Sequence, residues 1–121
     1  MITIVPADKD ETLRRAQAAG VQAQSCLLYW DGKACLGCIL YTVREGRLQV
    51  AALSDGDRVM QDALVRAALN AAEGQGAAEA VCREEKLAQR LCTLGFARDG
   101  KGAWTLIRDF FAHTGCCSHS S

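Results

Sequence analysis

The sequence predicts an α/β (α+β) single domain, a mixed, mostly antiparallel sheet with helices on both faces. Three observations carry this expectation. First, β-rich runs between Ser25 and Ser54 are separated only by Asp31-Gly32 and Glu45-Gly46, the pattern of an antiparallel meander joined by tight hairpins. Second, apolar residues take a helical period from Arg58 onward, and residues 77–82 then form a short apolar run. A strand–helix–strand unit of this length crosses over right-handed, which makes its two strands parallel. Third, the chain has 121 residues, 50% hydrophobic and 23% charged, enough for one real core and too few for two.

"MITIVPA" opens the chain as an edge strand, with Ile2 and Ile4 alternating and Pro6 near its end. "DKDETLRRAQAAG" reads as a modest helix capped by Asp8 or Asp10 and closed by Gly20. Its apolar stripe is Leu13, Ala16 and Ala19, interrupted by Gln17. In the meander, Asp31-Gly32 is the stronger hairpin signal, because a type I′ turn needs positive φ at both central positions. Gly37 inside the middle strand indicates a bulge or a close backbone approach. Met60, Ala63, Leu64, Ala67, Ala68 and Ala71 line one face of the long helix, and their small size lets it lie close to the sheet. "GQG" ends this helix, and "AAEAVC" is a buried strand. "REEKLAQRLCTLGF" is a second amphipathic helix with Leu87, Leu91 and Leu94 inward and Lys86, Gln89, Arg90 and Thr93 outward. Glu84 and Glu85 suit its positive N-terminal end, and Gly95 a left-handed C-cap. A hairpin around Asp99-Gly100 closes the domain at about residue 112, and residues 113–121 form a loose polar tail.

Lys plus Arg equals Asp plus Glu, so no basic surplus exists to neutralise a nucleic-acid backbone. No apolar run reaches the roughly 20 residues of a membrane span, and the N-terminus lacks the basic region of a signal peptide. A cytoplasmic protein is expected. Its seven cysteines are odd in number, and five sit in apolar stretches, as reduced thiols do. Cys35 and Cys38 have C-x-x-C spacing, but residues three apart on a strand face opposite sides unless a bulge intervenes. His113, Cys116, Cys117 and His119 are potential soft-metal ligands in the tail. Adjacent cysteines fit one tetrahedral site poorly, and no metal site is expected.

The order strand, helix, three-strand meander, helix, strand, helix, hairpin, with "WDGKACLGCILY" before the crossover unit and "LGF" after it, resembles the GNAT family of acyl-CoA N-acyltransferases. The resemblance covers Cys26 to about Phe111. It implies that the turn from the fourth strand into the long helix, patterned Arg/Gln-x-x-Gly-x-Gly/Ala, cradles the CoA pyrophosphate. The matching residues are Arg58, Val59, Met60, Gln61, Asp62 and Ala63. Arg58 and Ala63 fit the pattern, whereas Gln61 replaces the first Gly. It further implies that the backbone of Ala51, Ala52 and Leu53 holds the pantetheine arm and polarises the thioester carbonyl. Glu79 and Glu84, which bracket the second parallel strand, are the candidate general bases. Many members carry a Tyr five residues before the Phe of "LGF" to protonate the leaving thiolate; here that position is Leu91.

The turn "SDGDRVMQDA" therefore has two readings. Unpaired amides and the helix dipole favour an anion there. Yet Asp57 is also a good N-cap, and its carboxylate competes for the same donors, while Asp55 and Asp62 add negative charge. The expected activity is acetyl-CoA-dependent N-acetyl transfer to a small amine; the competing reading is a non-catalytic module of the same fold that binds a ligand or partner. A homodimer is allowed by the meander edge and the small-residue helices.

Overall fold

The computed structural model describes residues 1–82, 85–93, 97–98 and 103–106. β1 (Ile2–Pro6) leads into α1 (Lys9–Ala19), followed by the meander β2 (Ser25–Asp31), β3 (Ala34–Arg44) and β4 (Arg47–Leu53). α2 (Arg58–Gly74), β5 (Glu79–Cys82), α3 (Glu85–Thr93), β6 (Ala97–Arg98) and β7 (Ala103–Leu106) complete it. The strands form one sheet in the order β1-β2-β3-β4-β5-β7-β6. All neighbours are antiparallel except β4 and β5, the parallel pair that the crossover demands.

Local chemistry explains the boundaries. Asp8 caps α1, its Oδ1 accepting the Glu11 amide at 2.8 Å, and Gly20 takes the left-handed conformation after it. The two hairpins divide differently from expectation. In the first, Asp31 pairs with Ala34, so Gly32 and Lys33 occupy the turn and only Gly32 has positive φ. In the second, Glu45 and Gly46 both have positive φ, 55° and 74°. The Glu-Gly turn is thus the one with the I′ pattern. The Asp side chain of the first serves at the strand end, where Oδ1 meets the N-terminal ammonium at 3.2 Å.

α2 and α3 cover one face of the sheet, α1 the other. The larger core joins Ile39, Tyr41 and Leu48 of the sheet to Leu64, Leu69 and Leu91 of the helices. Truncating any one of these to Ala would cost about 2–5 kcal/mol. The face that α2 buries is rotated from the predicted stripe: Met60, Gln61, Leu64, Val65, Ala68, Leu69 and Ala72 are buried, while Ala63, Ala67 and Ala71 flank them. The branched residues Val65 and Leu69 outweigh alanines in burial free energy, so they turn the helix. α1 departs likewise, burying Thr12 and Ala16 and leaving Leu13 58% exposed. Thr12 can be buried because its hydroxyl donates to the Asp8 carbonyl at 2.8 Å. Beneath α1 lies a smaller core of Ala16, Cys26, Leu28, Cys38 and Leu40.

Leu87 and Leu91 of α3 are buried as expected. Glu84, the "LGF" residues Leu94, Gly95 and Phe96, the Asp99-Gly100 turn and residues 107–121 lie outside the described residues. No helix among the described residues is long and apolar enough to cross a membrane. Nor does any group of three His, Cys, Asp or Glu among them suit a metal ion.

Candidate functional site

A wedge opens in the sheet between β4 and β5. Among the described residues, the two strands pair over Arg47–Glu79, Leu48–Ala80 and Gln49–Val81 and no further. β4 then continues to Leu53 with no β5 partner among the described residues, while β5 stays paired to β7 through Cys82 and Ala103. A bulge in β4 marks the divergence. Leu40 pairs with Ala52 and Tyr41 with Val50, which leaves Ala51 as the extra residue. Bulges bend a strand and re-aim its backbone. Beyond it, the Ser54 amide donates to the Cys38 carbonyl at 3.0 Å. Strand alternation then turns the Leu53 amide away from β3, toward the open side.

The wedge is the first of three connected cavities. One of about 340 Å³ lies between Val21, Gln22, Thr42, Gln49, Ala51 and Val81. A second of about 240 Å³ is bounded by Ala51, Ala52, Leu53, Leu87 and Arg90. A third of about 720 Å³ lies at the start of α2, against Asp55, Gly56, Arg58, Gln61, Arg90 and Thr93. Val21 and Ala51 are shared by the first two, Asp55 and Arg90 by the last two. A groove therefore runs from the α1–β2 loop, along the unpaired edge of β4, to the N-terminus of α2.

The turn at that end both caps the helix and retains donors. Asp57 Oδ1 accepts the Met60 amide at 2.7 Å, and the Asp57 carbonyl accepts the Gln61 amide at 3.1 Å. Among the described residues, no acceptor takes the amides of Arg58 and Val59, and the Val59 residue is 73% exposed. These two N–H groups lie where the helix dipole favours an anion. Gln61 is buried, and its Nε2 donates to the Ser54 carbonyl at 3.0 Å; the side chain staples the turn from beneath. The acids are partly neutralised. Asp62 pairs with Arg66 at 2.8 Å, and the 94% exposed carboxylate of Asp55 pairs with Arg90 at 2.7 Å. Arg58 crosses the groove, its Nη2 donating to the Thr93 carbonyl at the end of α3 at 2.7 Å.

No protein-family model matches the chain, and neither does any curated protein sequence. Solved structures do match. A GNAT-family acetyltransferase from Brucella melitensis, in complex with acetyl-CoA, is 14% identical, with a TM-score of 0.62 over 88% of each chain. An Escherichia coli GNAT-family N-acetyltransferase in complex with CoA is 10% identical, with a TM-score of 0.62 over 89% of this chain and 82% of that one. A GNAT-family protein from Streptococcus pneumoniae is 17% identical and covers 100% of this chain and 97% of its own, with a TM-score of 0.53. The fold is that of the GNAT acetyltransferases.

Within this GNAT fold, the structure brings Ala51, Ala52, Leu53, Arg58 and Gln61 to one groove. Met60 turns into the core beneath, and Ala63 packs at its margin. Glu79 is not brought there. It sits where β4 and β5 are still paired, with Oε1 3.0 Å from Arg47 Nε. Leu91 is fully buried in the core. Sequence reasoning missed Arg90, which borders two of the cavities. Its polarity had placed it outward, but it stands three residues after the buried Leu87 and so at the edge of the same helical face. Val21 and Gln22, between the first helix and the meander, were missed as well.

Proposed function

We propose that this GNAT-fold protein binds acetyl-CoA along the groove and transfers its acetyl group to a primary amine. The observation that carries the reading is the loss of β5 pairing beyond Gln49 among the described residues, at the Ala51 bulge, with the resulting groove leading to the Arg58 and Val59 amides at the start of α2. The residues fit the co-substrate. The Arg58 and Val59 amides, with the Arg58 and Arg90 guanidiniums, make a cationic end for a pyrophosphate. The exposed backbone edge of β4 can pair with the amide groups of a pantetheine arm as a missing strand would.

When bound, acetyl-CoA supplies an activated acyl group, a thioester. The chain's part is positional and electrostatic. A β4 amide on the open side polarises the acyl carbonyl and stabilises the oxyanion as charge develops. Val21, Val50, Ala51 and Val81 exclude water from the acyl end, and Thr42, Gln22 and Gln49 offer uncharged polar contacts to an incoming amine. The amine attacks in its neutral form and releases its proton as the new amide forms. Glu79, held by Arg47, takes no part.

The test has two stages. Titration with acetyl-CoA should raise the unfolding temperature by mass action, about 2.7 kcal/mol of stabilisation at a hundredfold excess over Kd. Arg58→Glu should abolish that shift. Mass spectrometry should then detect acetylated product from a panel of primary amines. No shift with acetyl-CoA would defeat the reading. Binding without acetylated product would leave the non-catalytic module that Leu91 and the distant Glu79 favour.

A further inference from the structure

Three thiols collect on the α1 face of the sheet, in a place the acyl-transfer reading does not use. Cys26 on β2 and Cys38 on β3 are diagonal neighbours, since Cys26 pairs with Leu40 and Leu28 with Cys38. Both belong to the small core under α1. Cys35 joins them through a second bulge. Trp30 pairs with Cys35 and Tyr29 with Gly37, so Leu36 is the extra residue and is turned out to solvent. That insertion places residues 35 and 38 on one face, which an unbroken strand would forbid.

The surroundings of Cys38 are donors. The Cys26 thiol, which meets the Leu27 carbonyl at 3.9 Å, stands beside the Cys38 sulfur on the neighbouring strand. Ser54 Oγ lies 3.7 Å from that sulfur and also accepts the Cys38 amide at 2.8 Å. The Arg15 guanidinium reaches over this face to Cys35. Its Nη2 donates to Cys35 Sγ at 3.5 Å, and its positive charge acts on Cys38 close by. Arg15 is itself held by Glu11, Nε to Oε2 at 2.6 Å. A hydroxyl donor and a nearby guanidinium favour the thiolate. The neighbouring Cys26 thiol first, then Ser54 and Arg15, hold Cys38 down at about 5, and the same pairing pushes Cys26 up. A small core needs no such arrangement, because buried cysteines ordinarily pack as neutral hydrophobes. Cys38 is only 9% exposed, while Cys35 beside it is half-buried. The approach therefore suits a small reagent.

We propose that Cys38, under Arg15 and beside Cys26, is a peroxide-reactive thiolate site whose oxidation closes a Cys26–Cys38 disulfide. The Cys38 sulfur attacks one peroxide oxygen, the O–O bond breaks, and the departing hydroxide takes a proton to leave as water. The Cys26 sulfur, giving up its proton, then attacks the Cys38 sulfenic acid; the S–O bond breaks and a second water leaves. The peroxide gains two electrons and the dithiol loses two. Because Ser54 contacts Cys38 and opens the loop into α2, the site lies directly behind the anion-binding turn. Its reactivity does not depend on acetyl-CoA being bound.

The experiment is stoichiometric hydrogen peroxide on the reduced full chain at pH 6, quenching by alkylation, tryptic digestion and mass spectrometry. Trypsin places Cys26 in residues 16–33 and both Cys35 and Cys38 in residues 34–44. The expected product links these two peptides, forms before Cys92 is oxidised, persists in Cys35→Ser and is absent in Cys38→Ser. Cys26→Ser should leave a sulfenic acid at position 38 that dimedone traps. Arg15→Gln, on a surface helix outside the core, should slow the reaction several-fold. The proposal is overturned if Cys38 reacts no faster than Cys92, if the link survives in Cys38→Ser, or if Arg15→Gln reacts at the wild-type rate.

Discussion

Met60 closes directly over Gly37. A Cβ at position 37 would stand 2.8 Å from Met60 Sδ and 3.0 Å from Ser54 Cβ. The same methionine reaches Gly56, where a Cβ would meet its Cε at 2.3 Å. One side chain thus locks β3, the β4–α2 loop and the first turn of α2 together. Gly37→Ala is expected to destabilise by about 1–3 kcal/mol through overpacking, read as a lowered urea midpoint. Because thioethers are adaptable, Met60→Ala in the same chain should recover part of the Gly37→Ala cost. Strict additivity of the two would rule out the contact as the cause.

Asp57 is at once the helix cap and the nearest competitor of a bound anion. Asp57→Ala removes the acceptor of the Met60 amide, and should cost about 0.5–2 kcal/mol of stability. Asp57→Asn keeps an acceptor and removes the charge. Relief of one close like-charge contact, about 1 kcal/mol in exposed surroundings, predicts several-fold tighter acetyl-CoA binding at little change in stability. Calorimetry on the two variants separates the roles. Equal or weaker affinity in Asp57→Asn would mean that the carboxylate does not face the anion.

The backbone course of this site was legible in sequence, and its side-chain chemistry was less so. Hairpin turns, the Asp57 cap and the crossover all follow from local rules acting over a few residues. The Ala51 bulge and the loss of pairing past Gln49 do not, because they depend on how two strands distant in sequence diverge. Arg90 escaped notice for a related reason. A charged residue at the margin of an apolar face reads as solvent-exposed until the wall across the groove is known. Gln61 looked like a damaged glycine motif. In the structure it is a buried brace on the Ser54 carbonyl, which the pattern comparison alone could not reveal.

Glu79 offers a direct check on the proton path. Glu79→Gln should leave the rate of any acetyl transfer within about twofold, since its carboxylate serves Arg47 at the paired end of β4 and β5. The half-exposed pair contributes at most about 1 kcal/mol to stability. A collapse of kcat with KM unchanged would show that Glu79 acts as a base after all.

Cys38 also makes a pH signature, and its sign can be worked out. Its folded value, lowered from 9.0 to about 5, means that the unfolded chain binds more protons between these limits. Its contribution to stability is therefore fully present above about 9 and is lost as pH falls through about 5. The groups around it do not mask this window. Arg15 stays charged, Glu11 is lowered from 4.5 by Arg15 and so titrates below the window, and the raised Cys26 acts only above it. Cys35 and Ser54 complete the shell. Wild-type stability minus that of Cys38→Ser should climb as pH rises from 5 to 9, by up to about 1.4 kcal/mol per unit. Urea denaturation of both proteins at pH 6, 7 and 8 measures the difference. A difference flat across these three values would mean that Cys38 is an ordinary neutral thiol in the folded protein.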